Sequence, residues 1–277
     1  MIVDKIWLAP AKLNLMLRII GQREDGYHLL QTTFQFLDYS DELTFDVRQD
    51  GEIKRTDQIQ GVVLTDDLIY RAAIALKIKT GCLLGADLSL KKKLPIGGGL
   101  GGGSSNAATT LVALNQLWQL NLSTTELADI GLKLGADVPV FVQGFAAWAE
   151  GIGEKLSPIN PPECWFLVVI PDCSVSTKKV FSNSGLTKDS SAKKISDFPD
   201  GRGRNDCQKV VLETYPKVAN AFNWLNQFAK TTLTGTGGCV FASFKSKAKA
   251  FDVIEQLPQN LSAFVAQGKN KSPLYGD

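Results

Sequence analysis

The run Pro95-Ile96-Gly97-Gly98-Gly99-Leu100-Gly101-Gly102-Gly103-Ser104-Ser105-Asn106-Ala107 limits what this chain can become more than any other stretch. Six glycines in seven positions form neither a stable helix nor a strand. Each loses more backbone freedom on ordering than any other residue and offers no side chain to pack. Such a loop suits a place where main-chain N–H groups converge on a ligand as a nest. From Ser104 the pattern turns helical, with Ala107, Leu111, Leu114 and Trp118 on one face. A glycine loop running into a helix start is an anion site, because unpaired N–H groups and the positive dipole end meet there.

A Walker A loop requires Gly-Lys-[Ser/Thr], and Gly102-Gly103-Ser104 has no lysine. Gly97-x-Gly99-x-x-Gly102 satisfies the dinucleotide fingerprint formally. That fingerprint follows a buried apolar strand, whereas Lys91-Lys92-Lys93-Leu94-Pro95 stands directly before this loop. A flexible linker does not end in Ser-Ser-Asn capping residues ahead of a periodic helix. What is left is a triphosphate cradle outside the Walker class.

Composition narrows the chemistry further. At 277 residues, 44% hydrophobic and 21% charged, the chain reads as a globular protein of one large or two ordinary domains. A net charge of +2 points away from nucleic acid and from membrane surfaces as partners. Five scattered cysteines without a C-x-x-C, no signal peptide and no apolar run of membrane-spanning length fit a cytoplasmic protein with reduced thiols. His28 is the one histidine, which excludes a histidine-based zinc site. Acid–base work falls to carboxylates, lysines or His28.

Residues 95–107 closely resemble the phosphate loop of the GHMP kinases (galactokinase, homoserine kinase, mevalonate kinase, phosphomevalonate kinase). Pro10-Ala11-Lys12-Leu13-Asn14-Leu15 and Arg23-Glu24-Asp25-Gly26-Tyr27-His28 narrow the resemblance to members of that family in the non-mevalonate isoprenoid pathway. Their acceptor is a small molecule, a cytidine diphosphate-linked methylerythritol. The resemblance implies an ATP-dependent kinase that phosphorylates the 2-hydroxyl of that acceptor, with Mg²⁺ arriving on ATP and no permanently bound cofactor. It also implies an α+β fold of two domains, near 1–155 and 160–277. The first would be a nucleotide-binding domain with a mixed sheet and the second a ferredoxin-like α/β domain, with the site in the cleft between them. A monomer or weak homodimer is expected.

Residue by residue, the resemblance implies Lys12 and Asp137 as the catalytic pair. Asp137 falls in Gly135-Ala136-Asp137-Val138-Pro139, which matches the family's aspartate motif. Taken alone it reads equally as a helix cap beside glycine and proline, and Lys12 as a solvated strand-end lysine. ATP is expected at Pro95, Ile96, Gly97, Gly98, Gly99, Leu100, Gly101, Gly102, Gly103, Ser104, Ser105 and Asn106, with either serine reaching Mg²⁺. Lys92 matches a family lysine near the nucleotide, although three consecutive lysines also suit a solvated edge. Asp67-Leu68-Ile69 stands where the family has Asn-Leu-Ile beside adenine. Asp67 accepts from an exocyclic amine but cannot donate, so the main chain of Leu68 and Ile69 is expected to carry that contact. The acceptor is expected at Asn14, Tyr27, His28, Phe34, Thr177 and Phe181, and at the second glycine turn, Gly235, Thr236 and Gly237. A phenol offers a flat face for a pyrimidine and an imidazole reads its edge. Without the resemblance Tyr27-His28 is a half-buried edge, Phe181 a core aromatic and the glycine turn a hairpin. Residues 182–204, rich in Ser, Lys and Gly, are expected to form a mobile insertion or lid.

Overall fold

The computed structural model describes residues 5–57, 62–198 and 200–276. Where the sequence pattern indicates a series of short strands near the N-terminus, two long ones form, β1 (Trp7–Gln22) and β2 (His28–Arg48). They pair antiparallel with register shifts at Pro10/Lys12, Asn14/Met16 and Ile19/Gly21. Each bulge bends the ribbon and sharpens its twist, which keeps so long a pair wrapped on a core. β3 (Ile53–Arg55) runs parallel to β4 (Gly85–Lys91), and β4 runs antiparallel to β2, so this sheet is mixed. The chain between β3 and β4 forms α1 (Leu68–Thr80). After the glycine loop come α2 (Gly102–Leu117), α3 (Thr124–Leu132), α4 (Val138–Gln143), β5 (Ala147–Glu150) and β6 (Lys155–Pro158). A capping box opens α3. Ser123 Oγ accepts from the Glu126 N–H, and the Glu126 carboxylate accepts from the Ser123 N–H. Ala107, Leu111, Leu114 and Trp118 are all buried in one cluster with the sheet.

The remainder folds as β7 (Trp165–Ile170), α5 (Thr177–Phe181), α6 (Gln208–Thr214), α7 (Pro216–Leu225), β8 (Thr231–Leu233), β9 (Val240–Phe244), α8 (Lys247–Ile254) and β10 (Ser262–Lys269). Its strands are ordered β10-β7-β9-β8, all neighbours antiparallel, which is the ferredoxin-like arrangement. The end of β10 pairs with β2 at Gly268–Leu37 and Lys269–Phe36, joining the two sheets. A cluster containing Leu13, Leu37, Leu100, Phe166, Phe241 and Phe264 fills the space between the halves. Among the described residues no helix is long and apolar enough to cross a membrane.

Residues 182–204 are not a free lid, because the segment is tied along β1 and β2. The Ser190 N–H donates to Ile19 O, Gln31 exchanges two hydrogen bonds with the Lys193 backbone, and the Gly203 N–H donates to Leu15 O. Phe198 also stacks on Trp148. α7 ends at Leu225, and Phe228 just beyond it is 37% exposed against Trp224.

The chain end returns to the first half, where the Tyr275 hydroxyl donates to Val142 O and its ring lies over Gly144. Gly144 ends α4 in the left-handed region at φ 74°, and an added Cβ would overlap that ring. Gly144→Ala is expected to lower unfolding free energy by about 1–2 kcal/mol from the backbone alone. Denaturant titration measures it, and an unchanged midpoint would show that residue 144 does not hold the left-handed conformation.

Candidate active site

The glycine loop leaves β4 and crosses between the halves. Gly97, Gly99 and Gly101 have φ of 71°, 78° and 74°, the alternating left-handed pattern that turns successive N–H groups to one side. Four of the loop carbonyls are held by protein donors. Gly98 O accepts from the Cys239 N–H, Gly99 O from Lys12 Nζ and Thr234 Oγ1, Leu100 O from the Lys12 N–H, and Gly101 O from the Ser105 N–H. Among the described residues the N–H groups of 97–104 have no protein acceptor. Leu100, the only side chain in the 97–103 run, is fully buried and anchors the loop in the central cluster. The second glycine turn lies directly against the first, since a Cβ on Gly238 would come 2.7 Å from Gly97 O.

The loop borders a cleft of about 1240 Å³. That exceeds the roughly 300–1,000 Å³ usual for one small ligand and leaves room for two. Nearly every residue singled out in the sequence lines it: Lys12, Asn14, Tyr27, His28, Phe34, 67–69, Lys92, 95–104, Asn106, Asp137, Thr177, Phe181, Gly235 and Thr236. Two do not. Ser105 sits one helical step beyond Ser104, about 100° round α2, and is fully buried, its hydroxyl without a partner among the described residues. Gly237 faces Val175 and Val211, which are buried in the apolar cluster of the second half. Of the two serines, Ser104 is the one that faces the cleft.

Lys12 and Asn14 stand two apart on β1 and therefore share a face. The Lys12 side chain is only 3% exposed, so it is not a solvated strand-end lysine. Its ammonium lies 2.6 Å from Asn14 Oδ1, 3.1 Å from Gly99 O and 3.3 Å from Asp137 Oδ2. Asn14 Nδ2 donates to Thr32 Oγ1 at 2.8 Å, which fixes the amide with its oxygen toward Lys12. Phe34 supports the ammonium from below, with its ring centroid 5.3 Å away. Asp137 precedes α4 yet makes no side-chain cap hydrogen bond. Its carboxylate is 35% exposed to the cleft, paired with Lys12 and available to a ligand.

Asp67 caps α1, accepting from the Ile69 N–H at 2.8 Å, and its other oxygen pairs with Arg55. Its carboxylate is thus committed to the helix start, while Leu68 and Ile69 line the cleft. At the opposite end Tyr27 is 61% exposed at the rim. His28 and Phe181 stack on each other with centroids 4.8 Å apart, which leaves no gap for a base between them. His28 Nε2 is buried and has no hydrogen-bond partner among the described residues. Burial, and next the charge of Lys188, lower the His28 pKa from its ordinary 6.5. Its contribution to stability is full above that value and is lost as pH falls toward the lowered folded pKa. Because the chain has one histidine, an NMR pH titration of the imidazole is expected to give a single midpoint below 6.5. A midpoint at or above 6.5 would contradict the burial assigned to it.

Sequence reasoning missed Lys178, on α5, and Lys188, in the segment read as an insertion; both line the cleft. It also missed Thr32, which orients Asn14, and Asp41, which holds Lys92. Only contacts between strands far apart in sequence reveal those two.

With this geometry in view, the chain matches the family models described as GHMP kinases N terminal domain, over residues 67–145, and GHMP kinases C terminal, over residues 190–263. It is 56% identical over 267 residues to 4-diphosphocytidyl-2-C-methyl-D-erythritol kinase of Pseudomonas syringae pv. syringae (strain B728a), covering 96% of this chain and 95% of that one. The chain belongs to the GHMP kinase family. This GHMP kinase also superposes on a crystal structure of 4-(cytidine 5'-diphospho)-2C-methyl-D-erythritol kinase with a TM-score of 0.82. That match has 28% identity and covers 95% of this chain and 99% of the other. The Methanococcus jannaschii mevalonate kinase shares the fold with a TM-score of 0.69 at 18% identity, over 96% of this chain and 99% of that one. The two-part α+β fold expected from the sequence is therefore that of the family.

Proposed function

We propose that this GHMP kinase transfers the γ-phosphoryl group of ATP to the 2-hydroxyl of 4-diphosphocytidyl-2-C-methyl-D-erythritol, as a cytoplasmic monomer or weak homodimer with domains near 1–155 and 160–277. The observation that carries this reading is the meeting of Lys12, Asp137 and the acceptor-free N–H groups of 97–104 at one cleft. Phosphoryl transfer asks a protein chiefly for positioning and charge stabilisation, and these groups supply both. The N–H groups and the α2 start hold the β- and γ-phosphates, and the Ser104 hydroxyl faces the Mg²⁺ that enters as part of the nucleotide. Leu68 and Ile69 border the adenine through their backbone.

The acceptor oxygen attacks the γ-phosphorus, the bond to the β–γ bridging oxygen breaks, and ADP leaves. Asp137 takes the hydroxyl proton or orients that hydroxyl. Lys12, held by Asn14 and Gly99 O, offsets charge developing on the transferring group. The acceptor's cytosine stacks on Tyr27, with the His28–Phe181 block beside it. The 56% identity to a kinase named for this acceptor, over nearly the full length of both chains, favours this substrate within the family.

Tyr27→Ala tests the cytidine assignment. It is expected to raise the KM for the diphosphocytidyl acceptor by about 10-fold or more, in line with ~1–3 kcal/mol for one base–aromatic stack, and to leave the KM for ATP within about twofold. Equal effects on both would place the base elsewhere.

A further inference from the structure

The β2–β4 ladder ends at Glu42–Lys91, and the next three residues of the chain lead into the glycine loop. Backbone pairing stops there, and one side chain takes its place. Asp41 on β2 is fully buried. Its Oδ1 accepts from the N–H groups of Lys93 at 2.7 Å and Leu94 at 2.8 Å, while Oδ2 accepts from Lys92 Nζ at 2.6 Å. A carboxylate with no solvent exposure persists only where a cation and further donors compensate it, and here all of those donors belong to the stretch that launches the loop. Lys92 is the cation. Its side chain lines the cleft, and its ammonium lies 3.2 Å from where a Cβ on Gly102, the first residue of α2, would stand. Lys91 and Lys93 instead turn to Glu42 on the outer side. One oxygen of Asp41 thus fixes the path of the backbone, and the other fixes where a single positive charge stands beside the phosphate cradle.

We propose that Asp41 is a positioning residue for the nucleotide: it aims the Lys92 ammonium at the phosphates bound by the glycine loop. This rests on ATP occupying that loop, as argued above. The division of labour between the two oxygens gives a selective test. Asp41→Asn keeps an oxygen for the Lys93 and Leu94 N–H groups and puts an amide NH₂ where Lys92 had its carboxylate. The expected result is a KM for ATP raised about tenfold, a KM for the acceptor within twofold of the parent, and kcat largely retained. Lys92→Gln, which removes the ammonium itself, is expected to give the same pattern. The double variant is expected to be no worse than the more affected single one, because coupled groups are not additive.

An unchanged ATP KM in Asp41→Asn, or an equal rise for both substrates, would overturn the proposal, the second by showing general distortion. Should Asp41→Asn not fold, Lys92→Gln decides: an unchanged ATP KM there leaves Asp41 with no charge to aim. Failure of the ATP reading itself would look different, since the unsubstituted enzyme would then show no ATP-dependent turnover.

Discussion

Asp137→Asn is expected to cut turnover by about 10³-fold, within the ~10²–10⁴ range for loss of a positioned acid–base group, while nucleotide affinity stays within about twofold. The amide keeps the size of the carboxylate but can neither take the hydroxyl proton nor pair with the Lys12 ammonium at 3.3 Å. Because Asp137 makes no side-chain cap bond to α4, its replacement leaves that helix start as it was. A fall in activity therefore reports on the reaction and not on folding. Measuring kcat and ADP affinity on one preparation checks both halves of the expectation. Near-normal turnover would remove Asp137 from the chemistry.

Gly99→Ala is expected to damage the enzyme as severely, but through nucleotide binding. At φ 78° a side chain costs about 1–2 kcal/mol in backbone strain alone. The larger effect is steric. A Cβ there would overlap the Thr234 carbonyl oxygen and come 2.9 Å from Gly237 O, both backbone atoms with nowhere to go. The two glycine turns would separate, and Gly99 O would leave Lys12 Nζ and Thr234 Oγ1. A rise in the KM for ATP of at least about 100-fold follows if ~3 kcal/mol of binding is lost. Direct nucleotide titration measures it, and parent-like affinity would show that the turns are not the cradle.

The parts of this site that were legible in the sequence are those the backbone itself dictates. A run of six glycines ending in Ser-Ser-Asn allows few conformations, and its use as a nest of N–H groups follows from local chemistry. The Ser123–Glu126 capping box was legible for the same reason. Side-chain direction was less accessible. Ser104 and Ser105 are equivalent as letters, yet one helical step sends the second into the core. Residues 182–204 carry no apolar periodicity, so they look loose, but polar bonds from Arg18, Gln31 and Asp206 tie them to the first two strands. The resemblance implies both His28 and Phe181 at the acceptor, and both line the cleft. Their direct stack, however, depends on how far α5 lies from β2, which no local pattern encodes. The partners of Asp41 lie 51 to 53 positions away, a spacing that no local pattern encodes.

The most direct test of the account is ADP release from ATP by the purified chain, followed with and without 4-diphosphocytidyl-2-C-methyl-D-erythritol. Release that depends on this acceptor, with one phosphate appearing on its 2-hydroxyl per ADP formed, is the predicted result. Release that is indifferent to the acceptor, or that a small alcohol lacking the cytidine diphosphate supports equally well, would contradict it.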